Sequence, residues 1–249
     1  CATHTHGMPS LLPLLQWGSV SDAFRDLVYV RATEAAKAAM DDLSEADCYI
    51  GSQRVEGGNS NRTVKTWKTD ADFTAQSTDD ERWLDTLLQA LYFQRADNKK
   101  PLLWYHFCAH PVCYQDTQAG PDWPGIVAEG IEPRPGFLQG HIGDVNPGDG
   151  KKWIGEPMQT AQAIAPALHH AMGHGDIVEV DDLKIVNATV DLPFDMDRFK
   201  ADIEFHKTQP EKCKDGVWVD EGFAKAWSEI AAQWNMNTTS YTAPISAMR

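Results

Sequence analysis

The chain has 249 residues, of which 36 are acidic and 22 basic, giving a formal charge of -14. That charge excludes a nucleic-acid partner, because phosphate binding relies on Lys and Arg displacing counterions. No apolar stretch approaches the roughly 20 residues needed to span a bilayer, so any membrane contact is expected to be peripheral. The five cysteines, Cys1, Cys48, Cys108, Cys113 and Cys213, are scattered and odd in number. They fit neither a dense disulfide scaffold nor a CxxC zinc module, and most read as buried thiols, with one disulfide left open.

The sequence opens on CATHTHG, without an initiator methionine or the charged and apolar regions of a signal peptide. Cys1 reads either as a freed amino-terminal nucleophile or as a small buried side chain. The expectation is one catalytic-type domain over residues 1–249, truncated at both ends. Three sequons, at Asn61, Asn187 and Asn237, would matter only in a eukaryotic secretory pathway.

Between Ser19 and Asp42, apolar residues recur at three-to-four spacing from Phe24 to Ala39, with Ser21 available as a cap, which predicts an amphipathic helix. Cys48 to Val55 reads as a strand leading into the loop EGGNSNR, where Gly57 and Gly58 permit unusual backbone angles. Leu87 to Arg95 and Pro101 to Val112 are aromatic-rich runs joined by ADNKK, the pattern of a hairpin whose second strand ends at His110-Pro111. Alternation along that strand would put His106, Cys108 and His110 on one face, as it would His4 and His6 if the start is extended.

A helix is expected from Trp123 to Ile131 with Pro124 in its first turn, then a strand and loop from Gly136 to Val145, and a helix from Glu156 to Met172. Leu183 to Leu192 alternates as a strand. The pattern is then mostly helical to Trp234, with a break at EKCKDG, and the tail TTSYTAPISAMR reads as a strand. Strands and helices in this mixture predict an α/β fold of mixed β-sheet layers flanked by helices.

His4-Thr5-His6, followed by Gly7 and Pro9, has the composition of half a metal site, since neutral imidazole is the commonest zinc ligand. On its own the pattern is a weak signal, and the competing reading is partly buried histidines bonded to backbone carbonyls. His169, His170 and His174 end the Glu156 helix, where histidines commonly meet the last carbonyls. The acidic runs at Glu179, Asp181, Asp182 and at Asp79, Asp80, Glu81 read as solvated turns, lacking the alternation and central Gly of a calcium loop.

Taken together and in order, four blocks resemble the neutral (non-lysosomal) ceramidases. ATHTHGMP is similar to an AxHTHSGP signature, GGNSNR to a loop ending in Asn-Arg, FCAHPVCY followed by DWPG to FxxHPT followed by DFPG, and GFLQGHIGDVNP to a GDV(S/N)P segment. The resemblance spans roughly residues 1–165. It implies that His4 and His110 are ligands of a zinc ion (Zn2+), that His6 sits beside the site, and that Arg62 contacts substrate or a developing oxyanion, a task suited to a permanently charged guanidinium. Asp122 and Asp144 fall in matching motifs and are expected to fix neighbouring groups such as a histidine tautomer.

Where ceramidases carry an active-site serine this chain has Asn146, which with Arg62 and His6 is a candidate catalytic residue, and Gly7-Met8-Pro9 stands where Ser-Gly-Pro is typical. A glutamate and a tyrosine that complete the zinc site in the family have no match after Ala188, so the remainder of the polypeptide or a second chain is expected to supply them. The resemblance implies attack of a zinc-activated water on the amide of a ceramide-like N-acyl lipid, in a secreted, periplasmic or cell-surface protein. The alternatives are a metal-dependent esterase or amidase on another substrate, or a ceramidase-like binding module without turnover.

Overall fold

The hairpin signal at residues 87–112 becomes the centre of the fold. In the computed structural model, Asp97 and Asn98 both take positive φ, 57° each, the conformation that turns two strands tightly back on each other. They join β3 (Leu87–Arg95) to β4 (Leu102–Phe107), paired antiparallel from Gln89 opposite His106 to Phe93 opposite Leu102. β1 (Ala46–Arg54) lies on the other side of β3 in register over its full length. β2 (Asn59–Asn61) follows the Gly-rich loop, in which Gly57 adopts φ 69°.

The structure describes residues 3–9, 11, 20–62, 68, 72–79, 81–114, 119–180, 184–212, 214–215, 218–219, 229 and 239–248. They fall into two compact units, one of Cys1–Pro9 and Asp26–Val180, the other of Ser10–Arg25 and Asp181–Arg249.

In the first unit, α2 (Asp122–Gly130) carries the chain from β4 to β5 (Gly136–Gln139), which pairs parallel to β4, as a helical crossover allows. β6 (Val145–Pro147) pairs with β2. After α3 (Pro157–Gly173), the three-residue β7 (Asp176–Val178) returns to the edge of β1. The main sheet is therefore mixed, in the order β5-β4-β3-β1-β7, as the α/β expectation holds.

The core lies between this sheet and α2 and α3. Leu88, Leu103, Tyr105 and Phe107 from the strands meet Trp123, Val127, Ile164 and Leu168 from the helices. α3 approaches β1 so closely that a Cβ on Gly51 would sit 1.9 Å from the Ala171 carbonyl oxygen. Only glycine fits there.

α1 (Asp22–Asp41) starts where the sequence places it, with Phe24 N–H donating to Ser21 Oγ at 3.3 Å. None of its residues is fully buried, and Phe24 and Val28 of its apolar stripe are half-buried. Its end is tied down by charge. The buried Arg95 donates to the Asp42 carboxylate at 2.8 Å, and the bonds from Arg95 and Lys99 hold that carboxyl at about 2.

The second unit contains β8 (Ile185–Pro193) and β11 (Ser240–Met248), paired antiparallel residue for residue. α4 (Met196–Thr208) is capped by Asp195, whose carboxylate accepts from Arg198 N–H at 3.0 Å. β9 (Lys214–Asp215) and β10 (Trp218–Val219) form a small ribbon at the predicted EKCKDG break, and the helical reading beyond it lies, Glu229 apart, outside the described residues. Cys1, Cys213, Asp80, Asp181, Asp182 and Asn237 lie outside the described residues. Asn61 is fully buried and donates its amide to the Trp83 carbonyl at 2.9 Å, so its sequon does not present an exposed acceptor.

Candidate metal and catalytic site

β4 ends earlier than its sequence predicts, at Phe107, because its hydrogen bonding passes to the loop after β5, where Gly140 N–H donates to the Phe107 carbonyl at 3.0 Å. Cys108 to Val112 continue as buried, non-strand chain, so strand alternation does not carry as far as His110. What fixes His110 is a set of local bonds. Its N–H donates to the Val145 carbonyl at 3.3 Å, and its carbonyl accepts from the Trp123 indole at 3.2 Å.

The HTH segment runs beside it. His6 N–H donates to the Pro111 carbonyl at 3.0 Å, and Gly120 N–H to the Gly7 carbonyl at 2.8 Å. These bonds bring three imidazoles together: the ring centroids of His4 and His110 are 4.9 Å apart, those of His6 and His110 5.0 Å, and those of His4 and His6 5.3 Å. His4 is held at φ 56°, a left-handed conformation that costs a non-glycine residue energy and survives where its surroundings impose it.

His6 is exposed as a residue, yet its Nε2 lies 3.2 Å from Nε2 of the buried His110. Burial pulls the His110 pKa down to about 3, helped by the neighbouring His6, the Arg62 guanidinium and His4, and opposed by the Ile142 carbonyl. His6 is lowered in the same way, by burial of its inner edge, by His4 and by Arg62, against the Asp122 carboxylate. The net of these effects favours neutral rings with lone pairs available, which is the state a cation requires. His110 Nδ1 is buried without a well-aligned hydrogen bond.

The trio fits a tetrahedral ion. With zinc–nitrogen bonds of 2.0–2.1 Å, two ligand nitrogens stand about 3.3 Å apart, close to the separation of the His6 and His110 nitrogens. The coordinating atoms of His4, His6 and His110 lie within 4.8 Å of one another. The sequence assigned His4 and His110 as ligands and His6 to a place beside them; the structure brings all three rings into one group.

Arg62 follows directly from β2, and its main chain and side chain grip the same loop. Its N–H donates to the Asp144 carbonyl at 2.7 Å, and Nε and Nη2 donate to the Gly143 carbonyl at 2.9 and 2.5 Å. The charge is near enough to His6 and His110 to lower both.

Asp122, at φ 50° and fully buried, accepts from Tyr114 N–H at 3.1 Å and Trp123 N–H at 2.7 Å. Those bonds tie the DWPG turn to the chain after His110. Asn146 is buried in β6 and donates its amide to the Trp153 carbonyl. Its Oδ1 is buried without a hydrogen-bond partner.

A second group escaped the sequence reading: Asp85, Cys108 and His141 also hold their coordinating atoms within 4.8 Å. Cys108 Sγ is 3.3 Å from His141 Nδ1 and 3.7 Å from Asp85 Oδ2. Burial, ahead of the nearby carboxylate, pushes the Cys108 thiol up to about 11.

No protein-family model matches the sequence, and no curated protein is similar to it. Solved structures do match. The neutral ceramidase of Pseudomonas aeruginosa superposes with a TM-score of 0.60 over 92% of this chain and 42% of its own, at 13% identity. The fold is that of the neutral ceramidases. A ceramidase structure complexed with C2 gives a TM-score of 0.67 over 99% of this chain and 47% of that one, at 14% identity. The chain thus spans less than half the length of the ceramidases it resembles, and the resemblance read from the sequence agrees with this shared ceramidase-like fold.

Proposed function

We propose that the chain carries the metal-binding half of a zinc-dependent hydrolase that cleaves the amide bond of a ceramide-like N-acyl lipid. The observation that carries this reading is the convergence of His4, His6 and His110, with Arg62 close enough to depress the two inner rings. When bound, zinc would acidify a water and polarise the scissile carbonyl. Three imidazole ligands and one open position make the usual set for that chemistry.

The chain's own residues have distinct tasks in this reading. His110 is the anchor, its backbone held on both sides by Val145 and Trp123. His4 and His6 close the group from a segment pinned at Pro111 and Gly120. Arg62 offers positive charge to the carbonyl oxygen as it gains negative charge, and its grip on Gly143 keeps that charge from drifting. Asn146 orients the β6 wall through Trp153. A glutamate and a tyrosine from the remainder of the polypeptide, or from a second chain, would enlarge the ligand set. A secreted, periplasmic or cell-surface setting fits such a substrate.

The burial of Asn146, where ceramidases have a serine, supports a second reading, a ceramidase-like binding module without turnover. A panel of N-acyl sphingoid amides and matched esters, assayed with and without a chelator, separates the two. The proposal expects amide turnover that chelation abolishes and zinc restores, with Arg62→Ala lowering kcat/KM by roughly 100-fold to 1,000-fold. Turnover indifferent to chelation would sink it. Saturable binding of the amides without turnover would establish the module instead.

A further inference from the structure

We propose that Asp85, Cys108 and His141 form a second cation site, taking a thiophilic divalent ion of the zinc class, and that this ion fastens the loop on which Arg62 is held. The inference does not rest on the function proposed above, since it shares no ligand with His4, His6 and His110.

Three observations carry it. The donor set is one thiol, one imidazole and one carboxylate, a combination that suits zinc-like ions. In a tetrahedral site with bonds of 2.0–2.3 Å, ligand atoms stand about 3.5 Å apart. The observed edges are 3.3 Å from Cys108 Sγ to His141 Nδ1 and 3.7 Å to Asp85 Oδ2. A purely hydrogen-bonded trio is the competing arrangement, and it asks a weakly donating thiol to hold the group together.

The positions are also built from the backbone up. The fully buried Asn59 donates its amide both to the Asp85 carbonyl, at 2.8 Å, and to the Cys108 carbonyl, at 2.6 Å, fixing two of the three residues against each other. Asp85 Oδ1 accepts from Leu87 N–H at 2.9 Å, which leaves Oδ2 directed at Cys108. Gly140 brings the third residue in. A Cβ there would lie 2.4 Å from Cys108 Sγ and 2.8 Å from His106 Nε2, so only glycine lets the loop seat His141 against the thiol. His141 itself is exposed, giving an ion a way in and a place for a water ligand.

The consequence follows from the residues next along. Gly143 and Asp144 present the carbonyls that hold Arg62, and Val145 the carbonyl that holds His110. An ion on His141 anchors the start of that same loop, so it positions Arg62 without touching substrate.

Cobalt(II) titrated into the metal-free protein is the probe, read by its thiolate-to-cobalt charge-transfer absorption. Wild type should show the band, Cys108→Ser should remove it, and His110→Ala should keep it. His141→Ala and Asp85→Asn should each weaken cobalt binding at the thiolate by roughly tenfold or more. The absence of the band in wild type, or its survival in Cys108→Ser, would overturn the site. Should Cys108→Ser fail to fold, His141→Ala decides, because His141 is exposed on a loop: an unchanged affinity for the thiolate-bound cobalt would equally overturn it.

Discussion

His170 and His174 lie one turn apart at the end of α3, their rings stacked 4.1 Å centroid to centroid, with His174 Nδ1 2.9 Å from the His170 carbonyl. His4, His6 and His110 come from segments about a hundred residues apart and meet ring to ring. The first pair is exposed and satisfied by its own helix. The second group bears a left-handed residue at His4, a buried nitrogen on His110 without a well-aligned hydrogen bond, and a lowered pKa on His6 and His110. Local pairs of this kind arise from sequence neighbours at little cost. A group assembled from distant segments at a cost in strain and desolvation is the better candidate for function.

The largest effect expected from this contrast is on metal affinity. In a Cys108→Ser background, which silences the thiolate site, His110→Ala should weaken zinc binding by roughly 100-fold or more, as removal of a direct ligand must exceed the loss of an outer partner. His170→Ala should leave it unchanged. Competition against a chromophoric chelator measures both. Equal affinities in the two variants would erase the distinction between the histidine groups.

Acid should separate them next. Unfolded His110 takes up a proton near its ordinary value of 6.5, whereas the folded ring does so only at about 3. Across that window the unfolded chain binds more protons, so the metal-free protein should lose stability as pH falls from neutrality towards 4. Urea midpoints at pH 7 and pH 5 should differ less in His110→Gln, which has no proton to take up. A wild-type midpoint independent of pH, or one equally sensitive in His110→Gln, would show that the burial of His110 is not felt in the folding equilibrium.

Much of the fold was open to reading from side-chain periodicity. β3, α2, α3 and the final strand stand within a residue or two of their expected limits, and β4 starts where expected but stops at Phe107, since each carries its apolar spacing and its turn or cap in its own sequence. Three-residue β7 and the β2–β6 pair were not legible, because so short a segment becomes a strand only when a partner is at hand. α1 shows the reverse case: its apolar spacing and its Ser21 cap give a helix, but spacing alone does not say what covers the stripe.

The site divides along the same line. His4 and His110 stood out through their motif, whereas His6 needed the Pro111 bond to bring it in. Asn146 stood out as a catalytic candidate through its place in a motif, which does not reveal that its amide nitrogen donates to the Trp153 carbonyl. Asp85, Cys108 and His141 have no telling spacing, and the only local signs were a cysteine before His-Pro and a glycine before His141.

The smallest effect belongs to His174→Ala. The side chain is exposed, and its removal forfeits one hydrogen bond to the His170 carbonyl and one ring contact. The carbonyl keeps a partner, because His174 N–H also donates to it at 3.0 Å and alanine retains that N–H. Nothing buried is left unsatisfied, so the cost should stay within about 0.5 kcal/mol. Urea denaturation at pH 7 is the measurement. A loss several times larger would mean that the stacked pair supports the end of α3, and that closeness of two histidines along a helix is no sign of a merely local arrangement in this protein.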